Sequence, residues 1–300
     1  MLPEMPGTLN TVISSAHGES GRAWLIALPG LIEKIAEHWQ LSVGGPYPNL
    51  SYHYVAPCLL ADGDEAVLKV GFPEENREMF NEAGALELAA GDGMVKLLRF
   101  DGTRRAMLLE KLGPGRNLKE IFTEDPVKAV DAAIGVMRKI WREPPTENSF
   151  PKLENWFIDG FGKAANAGFA PKYVRKARGF FEELNPAGRR VLLHGDLHHE
   201  NILSAGREAF LAIDPKGITG NFAYEMTAFL INHRNWLAAG PDLRQKLAAA
   251  IGRFSEAFAI DPIAIRKWTF AQSVLSAWWT FEENSKKWQR ELAEAEIWEV

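Results

Sequence analysis

Apolar residues recur at helical spacing from about Gly21 to Trp39, where Trp24, Leu25, Leu28, Leu31, Ile32 and Ile35 share a face. The pattern predicts an opening helix, with a kink or two short helices at Pro29, whose ring removes one backbone donor. Gly44-Gly45-Pro46 ends that run. Ser51 to Leu60 then reads as extended, being rich in aromatic and β-branched residues. Asp62-Gly63-Asp64 is a hairpin signal, and Glu65 to Gly71 returns as a second strand carrying one cation, Lys69. Glu74 to Ala90 is helical in pattern. Val95 to Phe100 and Arg105 to Glu110 read as a strand pair joined through Asp101-Gly102-Thr103.

The pattern changes at Glu110-Lys111-Leu112-Gly113-Pro114-Gly115. Strands dominate before it and helices after it, and Gly-Pro-Gly is expected to continue neither, so a linker is predicted here. Helices are expected near Pro126–Trp141, Lys152–Ala167, Lys172–Leu184, Phe222–Ala239, Leu243–Phe258, Pro262–Glu283 and Ser285–Trp298. Short strands are expected at Val191–Leu193 and Phe210–Ile213. The resulting plan is α+β: residues 1–112 a small antiparallel-sheet lobe with a helical N-terminal extension, residues 113–300 a larger, mainly helical lobe.

Composition narrows the function classes. The 300 residues are 46% hydrophobic and 24% charged, ordinary for a chain with a large core. The formal charge of −5 argues against a nucleic-acid surface and favours cationic small molecules. The densest basic cluster, Lys172, Arg175, Lys176 and Arg178, has helical spacing and reads as a solvated face. Cys58, the one cysteine, precludes an internal disulfide and reads as a small hydrophobe inside a strand. No basic-then-apolar leader and no run of eighteen apolar residues is present, so the expectation is a cytoplasmic protein, monomeric by default.

Candidate chemistry concentrates in Leu193-His194-Gly195-Asp196-Leu197-His198-His199-Glu200-Asn201, followed by Ala212-Ile213-Asp214-Pro215. A carboxylate, an amide five positions on and a second carboxylate thirteen positions further form the order that phosphoryl transfer from ATP requires. Asp196 would orient an acceptor hydroxyl and take its proton. Asn201 and Asp214 supply hard oxygen ligands for Mg2+ on the phosphates. Three histidines invite a zinc reading, but no cysteine lies nearby and adjacent side chains diverge; they are expected to shape the loop. Gly113-Pro114-Gly115 is not a phosphate loop, because no Gly-Lys-Ser/Thr follows.

This loop resembles that of the aminoglycoside phosphotransferase-like kinases, which read His-Gly-Asp-x-x-x-x-Asn. Ala23-Trp24-Leu25, Tyr54-Val55-Ala56-Pro57, Lys69-Val70-Gly71-Phe72-Pro73 and Asp214-Pro215-Lys216-Gly217 look similar to the streptomycin 6-phosphotransferase and hydroxyurea phosphotransferase branch. The resemblance spans nearly the whole chain and implies a bilobal protein-kinase-like fold. It makes Lys69 the lysine that contacts nucleotide phosphates, steadied by a glutamate on the next helix: Glu82, with Glu78 one turn earlier as the alternative. The segment Pro46 to Tyr52 stands where a glycine-rich cover is usual yet has no glycine. Asn49 and Ser51 are its candidates for nucleotide contact, with ATP held less tightly or another triphosphate preferred. Adenine would be read by backbone groups from Glu110 to Leu112.

The resemblance implies an ATP- and Mg2+-dependent O-phosphotransferase acting on an aminoglycoside-type antibiotic. A metabolite alcohol (a sugar, choline or homoserine) is the alternative acceptor, and a non-catalytic nucleotide-binding module the third reading. Streptomycin-like acceptors carry guanidinium groups, which pair with carboxylates; the candidates are Glu225 first, then Asp159, Glu282 and Glu283. Trp278 and Trp279 read as core. Asn221, where many relatives have Asp, and Glu200, where a small or acidic residue is common, bear on substrate identity rather than reaction type.

Overall fold

The computed structural model describes residues 6–48, 50, 52–73, 77–145, 150–237, 242–283 and 285–300. The chain divides into two compact units, Met1–Gly113 and Pro114–Val300. Among the described residues, no helix is long and apolar enough to cross a membrane.

The first unit opens with helix α1 (Gly7–Trp39). Strands β1 (Ser42–Val43), β2 (His53–Leu59) and β3 (Glu65–Gly71) follow, then helix α2 (Glu78–Ala89) and strands β4 (Leu97–Asp101) and β5 (Ala106–Glu110). The strands form one antiparallel sheet in the order β1-β2-β3-β5-β4. Side chains alternate between the faces of a strand. Tyr54, Ala56 and Cys58 of β2, Ala66, Leu68 and Val70 of β3, and Ala106 and Leu108 of β5 all turn to one face. There they pack against Leu28, Ile32, Ile35 and other apolar residues of α1. Burying a side chain such as Leu68 contributes about 1.5–3 kcal/mol. Cys58 sits in this core, and desolvation pushes its thiol up to about 11. Lys69, between Leu68 and Val70, therefore falls on the other face.

The expected kink at Pro29 is not where the first helix breaks. The helix runs through Pro29, and the non-helical residue is Gly18, with φ 56° and ψ −125°. Only glycine reaches that backbone conformation without strain, whereas Pro29 forfeits a single helical hydrogen bond. The second helix starts at Glu78; Glu74, proposed as its start, lies outside the described residues.

In the second unit come β6 (Pro114–Asn117), α3 (Leu118–Ile121), α4 (Pro126–Ile140), α5 (Leu153–Asn166) and α6 (Pro171–Leu184). Four short strands follow: β7 (Arg190–Leu193), β8 (Ile202–Ala205), β9 (Phe210–Ala212) and β10 (Ile218–Asn221). Helices α7 (Met226–Leu237), α8 (Leu243–Phe258), α9 (Pro262–Glu282) and α10 (Trp288–Ala295) complete it. Gly-Pro-Gly is not a structureless linker: Pro114 begins β6, which pairs with β8 through an irregular register. A proline is tolerated as the first residue of a strand, where no ladder donor is required of it. The helix expected over Ser285–Trp298 is shorter, ending in a 3₁₀ turn at Glu296–Trp298. Trp278 is core, 4% exposed, while Trp279 is half-buried edge-on against Trp156.

Candidate active site

In the first unit, Lys69 Nζ meets both carboxylate oxygens of Glu82 at 2.8 Å, and both side chains are 3% exposed. Strand alternation aims Lys69 at α2, and Glu82 occupies the helix face that receives it. Glu78, the alternative partner, instead lines a small depression with Arg77 and Arg105. The Glu110 amide donates to the Lys96 carbonyl, and its carboxylate accepts from the Lys96 amide at 3.0 Å. Leu112 is buried. Lys111, between them, donates to the Tyr47 hydroxyl at 3.0 Å, tying the segment after β5 to the glycine-poor stretch. Asn49 and Ser51 lie outside the described residues.

In the second unit, β7 and β10 are paired, with Leu193 opposite Ile218. The loop 194–201 therefore leaves β7 beside the segment 213–217 that enters β10. Gly195 has φ +82°, and a Cβ there would press on Ile218 and Lys216 at 3.1–3.2 Å, so both backbone and space require glycine. His194 is wholly buried, and desolvation pushes its imidazole down to about 4. The neutral ring donates from Nε2 to the Ile213 carbonyl at 2.8 Å and accepts the Asp196 amide at Nδ1, at 3.3 Å.

Asn201 donates from Nδ2 to the Asp196 carbonyl at 3.0 Å, so Oδ1 is the atom of this side chain that could hold a metal ion. The Asn201 carbonyl accepts the Ile213 amide at 3.0 Å, and the His194 carbonyl accepts the Lys216 amide at 2.7 Å. Asp214 is bracketed by these bonds at φ +59°. A residue before proline ordinarily avoids such a backbone. The strain is held by the loop, as functional sites often do. Asp196, Asn201 and Asp214 are thus joined in one hydrogen-bonded unit, with the Asp196 side chain 41% exposed.

Glu225 corrects an expectation. It is 1% exposed, and its two oxygens accept the His194 amide at 2.7 Å and the Gly195 amide at 2.8 Å. A buried carboxylate with both oxygens engaged is not open to a guanidinium; it clamps the loop from beneath. Burial pushes Glu225 up to about 7, against the pull of the Gly195 and His194 amides. Asn221 is also structural: Nδ2 donates to the carbonyls of Leu184, at 2.9 Å, and Ala187, while Oδ1 accepts the Ala223 amide at 3.0 Å. Neither role has a motif in the sequence. The only hint is the apolar company on both sides of Ala223-Tyr224-Glu225.

His199, in the turn before Asn201, is wholly buried and bonds through Nε2 to Nδ1 of His233 on α7 at 3.0 Å. Sequence reasoning missed His233, which is 34 residues away. Glu200 is exposed and pairs with Lys119 at 3.1 Å. Asp159 is exposed on α5, and Glu282 and Glu283 are exposed at the end of α9, with Glu282 3.9 Å from Lys163. Trp156 of α5 and Trp279 of α9 meet edge-on, with ring centroids 5.7 Å apart.

Residues 38–284 match the family model described as aminoglycoside/hydroxyurea antibiotic resistance kinase. The chain belongs to that family. It is similar to streptomycin 6-kinase of Streptomyces griseus, 30% identical over 93% of this chain and 91% of that protein. It is also similar to hydroxyurea phosphotransferase of Kitasatospora aureofaciens, 31% identical over 98% of this chain and 85% of that protein. Among solved structures, choline kinase LicA from Streptococcus pneumoniae superposes with a TM-score of 0.62 at 13% identity, covering 90% of this chain and 98% of that one. The chain thus has the protein-kinase-like fold: an antiparallel N-terminal sheet and a mostly helical C-terminal part. As a member of this family it is a nucleotide-using phosphotransferase with an alcohol group as acceptor.

Proposed function

We propose that this kinase moves the γ-phosphoryl group of ATP to a hydroxyl of a cationic, streptomycin-like aminoglycoside. The observation that carries the reading is the hydrogen-bonded unit of Asp196, Asn201 and Asp214. Asp196 is the proton acceptor. Its backbone is held on both sides, by the His194 ring and the Asn201 amide, while its carboxylate reaches solvent. That pre-positioning is what general-base catalysis requires.

Asn201 Oδ1 and the Asp214 carboxylate would hold Mg2+. Two protein oxygens fit this ion, which otherwise keeps waters and phosphate oxygens, and the described residues contain no cluster of three His, Cys, Asp or Glu suited to a metal. When bound, Mg2+ offsets charge on the transferring phosphoryl group. Lys69, fixed by Glu82, is the phosphate-binding cation, and the backbone of Lys111 and Leu112 is assigned to adenine. LicA has also been solved in complex with AMP, which supports a nucleotide in this fold. The exposed carboxylates Asp159, Glu282 and Glu283 are proposed to meet the acceptor's guanidinium groups. The cytoplasm, where ATP is supplied, is the compartment proposed for this reaction.

The test is transfer of labelled γ-phosphate to streptomycin, other aminoglycosides, hydroxyurea, choline, homoserine and sugars, with Asp196→Ala beside the wild type. Label should enter streptomycin and fall 10²–10⁴-fold in the variant. Equal rates would reject the Asp196 assignment. Transfer to choline or a sugar alone would move the acceptor to the metabolite class.

A further inference from the structure

On the side of the second unit where α4, α7 and α8 meet lies a cavity of about 360 Å³, within the size range of small-molecule sites. Three of its lining residues are buried: Val130, Ala250 and His233. Val127 and Ala249 extend the apolar wall. On this floor His233 is the polar group, and it is bonded directly to His199 of the catalytic loop.

The proton between the two rings determines what the cavity offers. Among the described residues, His199 Nδ1 is buried and has no partner. If His233 donated to His199, a neutral His199 would carry its proton on Nδ1, leaving a buried N–H without an acceptor. Orphaned buried N–H groups are the rarer defect, since an unpaired acceptor is tolerated more often. His199 Nε2 therefore donates to His233 Nδ1, and the second nitrogen of His233, Nε2, carries a proton. His233, which lines the cavity, thus carries an N–H donor on the ring nitrogen not bonded to His199. At the rim, Arg253 is paired with Asp131 at 2.6 Å, whereas Lys246 makes no ion pair among the described residues. Asp242 is the acid on the rim.

We propose that this cavity is a second ligand site, for a small carboxylate with an apolar body. Its carboxylate accepts from His233 and faces Lys246, and its body lies against Val127, Val130 and Ala249. Occupancy reaches the catalytic loop because the bond from His199 to His233 is shared. His199 also stacks on Phe229, with ring centroids 4.0 Å apart.

The full chain, labelled with 15N-histidine, tests this on titration with benzoate, with benzamide as the uncharged comparison. The free protein should show His233 protonated at Nε2, and benzoate should shift both rings saturably, with benzamide at least tenfold weaker. Lys246→Glu should weaken benzoate about tenfold and Asp242→Asn should strengthen it. Ala249→Trp, at an exposed position that leaves the core intact, should abolish binding. Kinase turnover should change with benzoate in the wild type and not in Ala249→Trp. A His233 protonated at Nδ1, no saturable shift, or a shift that survives Ala249→Trp would overturn the proposal. The ring shifts require no acceptor substrate, so this failure is separable from failure of the streptomycin assignment.

Discussion

The Glu225 carboxylate and the Gly195 amide meet at 2.8 Å in full burial, 30 positions apart in the chain. Removing the carboxylate leaves the His194 and Gly195 amides buried without an acceptor, on the order of 1–3 kcal/mol each. Glu225→Ala is expected to lower the urea midpoint accordingly. Glu225→Gln, which keeps one acceptor but turns an N–H toward the loop, should lower kcat about tenfold or more with KM for nucleotide little changed. A Glu225→Gln enzyme of wild-type kcat would show that the clamp does not position Asp196.

Lys69→Met should cost about 3–5 kcal/mol, because it strands the Glu82 charge in a dry site. Lys69→Met with Glu82→Leu should recover most of that stability and none of the activity. Chemical denaturation and phosphoryl transfer, measured together, separate the two effects. A double variant as unstable as the single one would refute the stranded-charge account.

Asn221→Asp replaces a donor to the Leu184 and Ala187 carbonyls with a carboxylate that faces them. The expected outcome is a loss of roughly 2–4 kcal/mol from unmade bonds and repulsion, with acceptor preference unchanged. Thermal unfolding and the acceptor panel decide it; altered acceptor preference at wild-type stability would restore the substrate reading.

Acid should destabilise the protein in a defined window. Desolvation lowers His194 to about 4, His199 to about 2 and His233 to about 4, against about 6.5 when unfolded. Between pH 4 and 6.5 the unfolded chain binds the extra protons, so this stability is complete above 6.5 and is lost as pH falls. Glu225, raised to about 7, acts in reverse between 4.5 and 7 and cancels one of the three. The remaining slope is at most about 2–3 kcal/mol per pH unit. Urea midpoints at pH 7, 6 and 5 should fall in that order, and His233→Gln should flatten the series. A flat wild-type series would contradict neutral burial of the histidines.

What was legible in the sequence is what local periodicity encodes. Alternation along β3 put Lys69 opposite the face of Leu68 and Val70, and the 3.6-residue spacing located Leu243–Phe258 to the residue. The ordering of Asp196, Asn201 and Asp214 was visible because one loop carries the first two and the segment just after β9 carries the third. Gly-Pro-Gly misled because a proline's missing donor matters only where the ladder requires one, and that depends on a partner strand 88 residues away.

By itself the sequence determined most of the elements and their apolar faces, and it nominated the candidate reacting groups, since these follow from side-chain type and spacing. Tertiary structure alone decided that Glu225 supports the loop instead of facing a substrate and that His233 touches His199, and it brought Lys69 to Glu82, the partner the resemblance had favoured over Glu78. Each of those is a contact between distant segments whose direction is set by packing. A buried carboxylate and an exposed one are the same letter in a sequence; only the folded chain assigns one to hold the backbone and leaves the other to solvent.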